Sequence, residues 1–180
     1  SITLSTVNSV DENSNETITI TATLVTAATT AITIDFSPTG SATEGTDYTT
    51  IDSISISEGD LTGTSEFTLT DDSVYEANET ITLTVNTTSS VGSFNISNTP
   101  TIVIVENESA PTITLATSAT SIAEDAGSSL TLTATSSIVA DEDITVSIAT
   151  SGTGTEGTDY NTISDITISA GATTGTASFT

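Results

Sequence analysis

Hydrophobic residues alternate with threonine and serine along most of this chain, as in Thr17-Ile18-Thr19-Ile20-Thr21. The alternating runs are short and are separated by Gly, Pro, Asn and Asp. A period of two puts apolar side chains on one face of a strand and hydroxyls on the other, the pattern of an antiparallel sheet with one wet side. In the first part of the chain these runs predict seven strands, near residues 1 to 6, 17 to 25, 31 to 36, 51 to 57, 65 to 70, 80 to 86 and 100 to 105. The expected fold is all-β: a seven-stranded antiparallel sandwich of immunoglobulin-like size, about 100 residues. The Cys, Trp, Cys framework of true immunoglobulin domains is missing, because the chain has neither residue.

The pattern then repeats. A shift of 112 residues aligns Glu12 to Thr68 with Glu124 to Thr180 without a gap. Thr43-Glu44-Gly45-Thr46-Asp47-Tyr48 falls on Thr155-Glu156-Gly157-Thr158-Asp159-Tyr160, and Gly59, Gly63 and Phe67 fall on Gly171, Gly175 and Phe179. A fixed period of this kind means tandem modules. The expected modules are 1–109 and 110–180, the second stopping before counterparts of the last two strands. The chain reads as a window on a longer array, with Ser1 at the start of a mature or excised segment. The alternative is strand donation by a neighbouring chain.

Charge narrows the possible partners. The chain has 24 Asp and Glu residues and no Lys, Arg, His, Cys, Met or Trp, for a formal net charge of -24. Nucleic acid and anionic membranes need basic side chains to hold them, so neither is expected as a partner. No apolar run approaches the length of a membrane span, so membrane insertion is not expected either. Catalysis by triads, Schiff bases or metal hydrolases needs His, Cys or Lys, and the chain is read as non-catalytic.

If successive strands alternate in direction, the first, third and fifth connections and the exit of the last strand share one end of the sandwich. These carry Asp11 and Glu12, then Glu44 and Asp47, then Asp71, Asp72, Glu76 and Glu79, then Glu106 and Glu108. The opposite end offers only Glu58 and Asp60. Asp35, Asp52 and Glu66 read as ordinary surface acids. Converging carboxylates with no basic neighbours repel unless cations or protons lie between them. Calcium takes six to eight oxygen ligands in flexible geometry and suits carboxylates on several loops, whereas zinc, copper and iron sites draw on the absent His and Cys.

The same residues carry a family resemblance. Gly40-Ser41-Ala42-Thr43-Glu44-Gly45-Thr46-Asp47-Tyr48, Ile56-Ser57-Glu58-Gly59, and above all Asp71-Asp72-Ser73-Val74-Tyr75-Glu76-Ala77-Asn78-Glu79-Thr80 resemble Calx-beta domains. Such domains occur in sodium/calcium exchangers, integrin-associated proteins and very large bacterial surface proteins. The resemblance implies calcium ligation by Glu12, Asp47, Asp71, Asp72, Glu76 and Glu79, with Glu124 and Asp159 as the matching positions of the second module. Ser73 stands where the family pattern has a third Asp, and Glu106-Asn107-Glu108 where it often has consecutive Asp, which implies fewer or weaker ions.

The function expected is structural: a calcium-binding repeat of an extracellular filament or bacterial surface adhesin, in which calcium stiffens the modules and their joints. Its expected partners are calcium ions, neighbouring modules of the same chain and like subunits in a filament. Asp141-Glu142-Asp143, where the first module has Thr29-Thr30-Ala31, is expected to meet the calcium end of that module. The alternative is direct binding of glycan or ice by Thr-x-Thr rows such as Thr17 to Thr23. Asn-x-Ser/Thr sequons begin at Asn15, Asn78, Asn86, Asn95 and Asn107, as chance predicts in a chain rich in Ser and Thr.

Overall fold

The structure, a computed structural model, describes residues 1–86, 95–124 and 127–180. It divides into two compact units, one of Ser1–Asp72 with Ala77–Asn107 and one of Ser73–Glu76 with Glu108–Thr180. The described residues are all-β apart from one short 3-10 turn.

In the first unit the strands are β1 (Ile2–Ser5), β2 (Ser9–Asp11), β3 (Thr17–Leu24), β4 (Ile32–Phe36), β5 (Ile54–Ile56), β6 (Thr62–Thr68), β7 (Glu79–Thr82), β8 (Val85–Asn86) and β9 (Thr101–Val105). They form three sheets, β1-β3-β6, β2-β9-β7 and β5-β4-β8. Alternation sorts the side chains as the sequence predicts: Ile18, Ile20 and Ala22 of β3 are buried, while Thr17, Thr19 and Thr23 are exposed. Ile2, Leu4, Ile34, Ile54, Ile56, Phe67, Ile81, Leu83, Ile102 and Ile104 join them in a single apolar core.

One strand, β2, lies outside every expected run, in the first connection, and one expected run divides between two sheets. β1 pairs antiparallel with β3, and the chain then crosses so that β2 pairs in parallel with β9. The second edge of β1 is covered by residues 95–98. Ile2 N donates to Asn95 O at 2.9 Å, and the Asn98 amide pairs with both Leu4 N (2.9 Å) and Leu4 O (2.7 Å). An edge that would otherwise present open donors and acceptors is closed. Similarly, the run expected at 80 to 86 divides into β7, paired with β9, and β8, paired with β4. The fifth strand, expected at 65 to 70, starts earlier at Thr62, because Gly63 lies opposite Ala22 and carries no side chain to reveal the alternation.

The second unit has β10 (Ile113–Thr117), β11 (Leu130–Ser136), β12 (Ile144–Val146), β13 (Ile166–Ile168) and β14 (Thr174–Phe179), in sheets β10-β11-β14 and β12-β13. Within it, Tyr75 N donates to Val139 O at 2.8 Å and Asp141 N to Tyr75 O at 3.2 Å. The register of the first unit recurs: Ile18 opposes Phe67 as Leu130 opposes Phe179, and Ile32 opposes Ile56 as Ile144 opposes Ile168. One cross-strand hydrogen bond recurs with its partners exchanged. Ser53 Oγ donates to Asp35 Oδ1 at 2.5 Å in the first unit, and Ser147 Oγ to Asp165 Oδ2 at 3.3 Å in the second. Among the described residues of this unit, no strand matches β7, β8 or β9. Its fully buried apolar residues are accordingly few, Ala134, Ile166 and Ile168. Leu115, which faces Ala134 as Leu4 faces Ala22, is 52% exposed where Leu4 is 2%.

Candidate metal centre

Asp47 is positioned by its own turn. Asp47 N donates to Thr43 O at 2.9 Å, Gly45 N to Tyr48 O at 2.8 Å, and Thr43 N to Asp47 Oδ2 at 2.5 Å. Gly45 has φ +87°, a left-handed backbone that glycine adopts without steric cost. Tyr48 anchors the turn in the core, its ring edge-on to Phe67 at a centroid distance of 5.9 Å. Burial pushes the Tyr48 phenol above its ordinary value, and the Glu44 and Asp47 carboxylates add to the shift.

The third connection is fastened to both ends of the fifth. Thr70 N donates to Asp47 O at 2.9 Å, Ala42 N to Thr80 O at 3.2 Å, and Thr80 N to Ser41 Oγ at 3.0 Å. Asp47 is thereby held beside the Asp71 to Glu79 stretch. On the other side, the parallel pairing of Asp11 with Val105 sets the next residues, Glu12 and Glu106, side by side. Glu106 N donates to Asn78 Oδ1 at 3.0 Å, and Asn107 Nδ2 to Asp71 Oδ1 at 3.5 Å.

Two pairs of first-unit carboxylates converge in consequence, Glu12 with Glu106 and Asp47 with Glu79, the ligand atoms of each pair within 4.8 Å of one another. Glu76 lies in the segment Ser73–Glu76, which belongs to the second unit. Glu12 is buried, 6% exposed, and the others are half-buried. The remaining candidates are in neither pair. Asp71 and Asp72 are exposed beside them, Glu108 is half-buried in the second unit, and Glu124 and Asp159 are exposed. Asp159 has the turn role of Asp47, accepting from Thr155 N at 2.7 Å. Reading for acids alone overlooked Asn78 and Asn107, whose signal is an amide placed within or beside an acidic run.

A buried carboxylate is costly without a compensating charge, and this chain has no basic side chain to supply one. The donors are all hard oxygens, drawn from four separate chain segments and close enough to share an ion. They fit a hard divalent cation such as calcium, with backbone carbonyls and water completing six to eight ligands.

The Calx-beta domain model matches residues 3–108 and again 106–176. The chain belongs to the Calx-beta domain family. Its Calx-beta fold is similar to crystal structures of CBD12 from CALX1.2, at 17% identity and TM-score 0.50, covering 98% of this chain and 75% of that one. It is also similar to the calcium binding domain CBD12 of CALX1.1, at 16% identity and TM-score 0.53, covering 99% and 74%. No curated protein sequence matches the chain. The chain is a tandem pair of all-β, Calx-beta-like units.

Proposed function

We propose that this chain is a non-catalytic, calcium-binding structural repeat of an extracellular surface protein, in which calcium stiffens seven-stranded, immunoglobulin-like Calx-beta modules. The observation that carries the reading is a buried Glu12 beside Glu106, with Asp47 beside Glu79, in a chain without a single basic side chain. Membership of the Calx-beta family supports it. So does the likeness to a domain described as calcium binding.

In this reading Glu12, Asp47, Glu79 and Glu106 hold the ions, with Asp71 and Asp72 at the exposed margin. Calcium supplies the positive charge that lets these loops pack together. The residues themselves fix the loops, exclude part of the solvent and set how many oxygens reach an ion. Tandem modules at 1–109 and 110–180, a threonine-rich wet face and strong acidity all suit a soluble filament or adhesin stalk outside the cell. Neighbouring modules and like subunits are its protein partners.

Calorimetric titration of the chain with calcium tests the proposal. Saturable binding by about 1 mM calcium is expected, in the range of extracellular calcium modules. At a hundredfold excess over the dissociation constant, ligand linkage raises stability by about 2.7 kcal/mol. An absence of both heat and thermal shift would reduce the carboxylate groups to an acidic surface.

A further inference from the structure

The fifth connection and the exit of β9 supply Glu79 and Glu106 to the two carboxylate pairs. Mutual repulsion should drive these segments apart in the absence of a cation. One hydrogen bond opposes this without adding charge. Asn78 lies between Glu76 and Glu79, and its Oδ1 accepts the backbone N–H of Glu106 at 3.0 Å. Nearby, Asn107 Nδ2 donates to Asp71 Oδ1 at 3.5 Å, joining the same two segments in the opposite sense.

We infer that Asn78 is a positioning residue that fixes Glu106 next to Glu12 before any ion arrives; the inference rests on the calcium reading of the site. An aspartate could accept the same hydrogen bond but would add another negative charge to the cluster. Alanine or leucine would leave the Glu106 N–H without its acceptor. The amide satisfies the donor and stays neutral. Residues that orient metal ligands in this way, without touching the ion, commonly change metal affinity by about 10-fold to 100-fold when removed.

The test uses the whole chain with Asn78→Ala and Asn78→Asp, alongside wild type. Amide hydrogen exchange at Glu106 is followed in calcium-free protein, and calcium binding is followed by calorimetry. Asn78→Ala should lose protection at the Glu106 amide without calcium and should bind calcium about 10-fold more weakly. Asn78→Asp, which retains the acceptor oxygen, should restore the protection; if Asn78→Ala fails to fold, Asn78→Ser replaces it. Unchanged calcium affinity in Asn78→Ala, with wild type binding, would overturn the inference and leave the calcium reading intact. Wild-type protein that binds no calcium would bring down both, even if Glu106 protection depends on Asn78.

Discussion

Asp47 serves its own turn as well as the carboxylate group, and the second unit separates the two roles. Asp47 Oδ2 accepts from Thr43 N and Asp159 Oδ2 accepts from Thr155 N in the same turn, but of the two only Asp47 stands beside Glu79. Asp47→Ala should therefore destabilise the calcium-free chain by about 1 kcal/mol, the typical net worth of such a hydrogen bond. Asp47→Asn keeps an acceptor oxygen and should retain that stability, yet weaken calcium binding about 10-fold, or about 1.4 kcal/mol. Asp159→Ala should cost similar stability and leave the affinity measured at the first unit unchanged. Denaturant melts and calorimetry on the three variants check this, and an Asp47→Asn variant with wild-type affinity would remove Asp47 from the ligand set. The Asp35–Ser53 and Ser147–Asp165 pairs teach a related lesson. Asp35 reads as an isolated surface acid in one copy, and its cross-strand partner becomes visible only when the exchanged pair in the other copy is laid over it.

Strand identity was legible from periodicity, and strand assignment to sheets was not. β2 has one apolar residue, Val10, between Ser9 and Asp11, too little to reveal a period, yet its parallel pairing with β9 brings Glu12 to Glu106. Gly63 shows what the pairing demands of the sequence. A Cβ there would stand 2.5 Å from Ser55 O and 2.8 Å from Ile54 Cγ2, and one at Gly175 would collide with Thr167 O and Ile166 Cγ2 in the same way. These glycines permit β6 and β14 to approach β5 and β13 closely. Gly63→Ala should destabilise the first unit by about 1 to 3 kcal/mol through overpacking, read from a shifted denaturation midpoint. A neutral Gly63→Ala variant would mean that the close approach can relax at little cost.

For the molecule as a whole, the net charge of -24 has no internal counter-charge except at the N-terminus. Self-repulsion on this scale opposes compaction and is screened by salt. The melting temperature of the calcium-free chain should therefore rise as sodium chloride increases from about 10 to about 300 mM, over which the Debye length falls from roughly 30 Å to well under 10 Å. Millimolar calcium should raise it further at matched ionic strength, because a bound ion neutralises the buried Glu12 group locally while sodium acts only through screening. Differential scanning calorimetry separates the two effects. If calcium did no more than the matched sodium salt, its action would be screening alone.

By itself the sequence determined the all-β class, the 112-residue repeat, the inward and outward faces of the strands and the segments that carry the acids. Each of these is a local or periodic property, written in the order of residues along the chain. Only the tertiary structure decided which of the candidate carboxylates of the first unit converge: Glu12 with Glu106 and Asp47 with Glu79 do, while Asp71 and Asp72 are in neither pair. That choice depends on a parallel pairing of β2 with β9 and on loop-to-loop hydrogen bonds. Contacts of that kind join residues far apart in sequence through backbone groups that every residue carries, so no alternation or motif announces them.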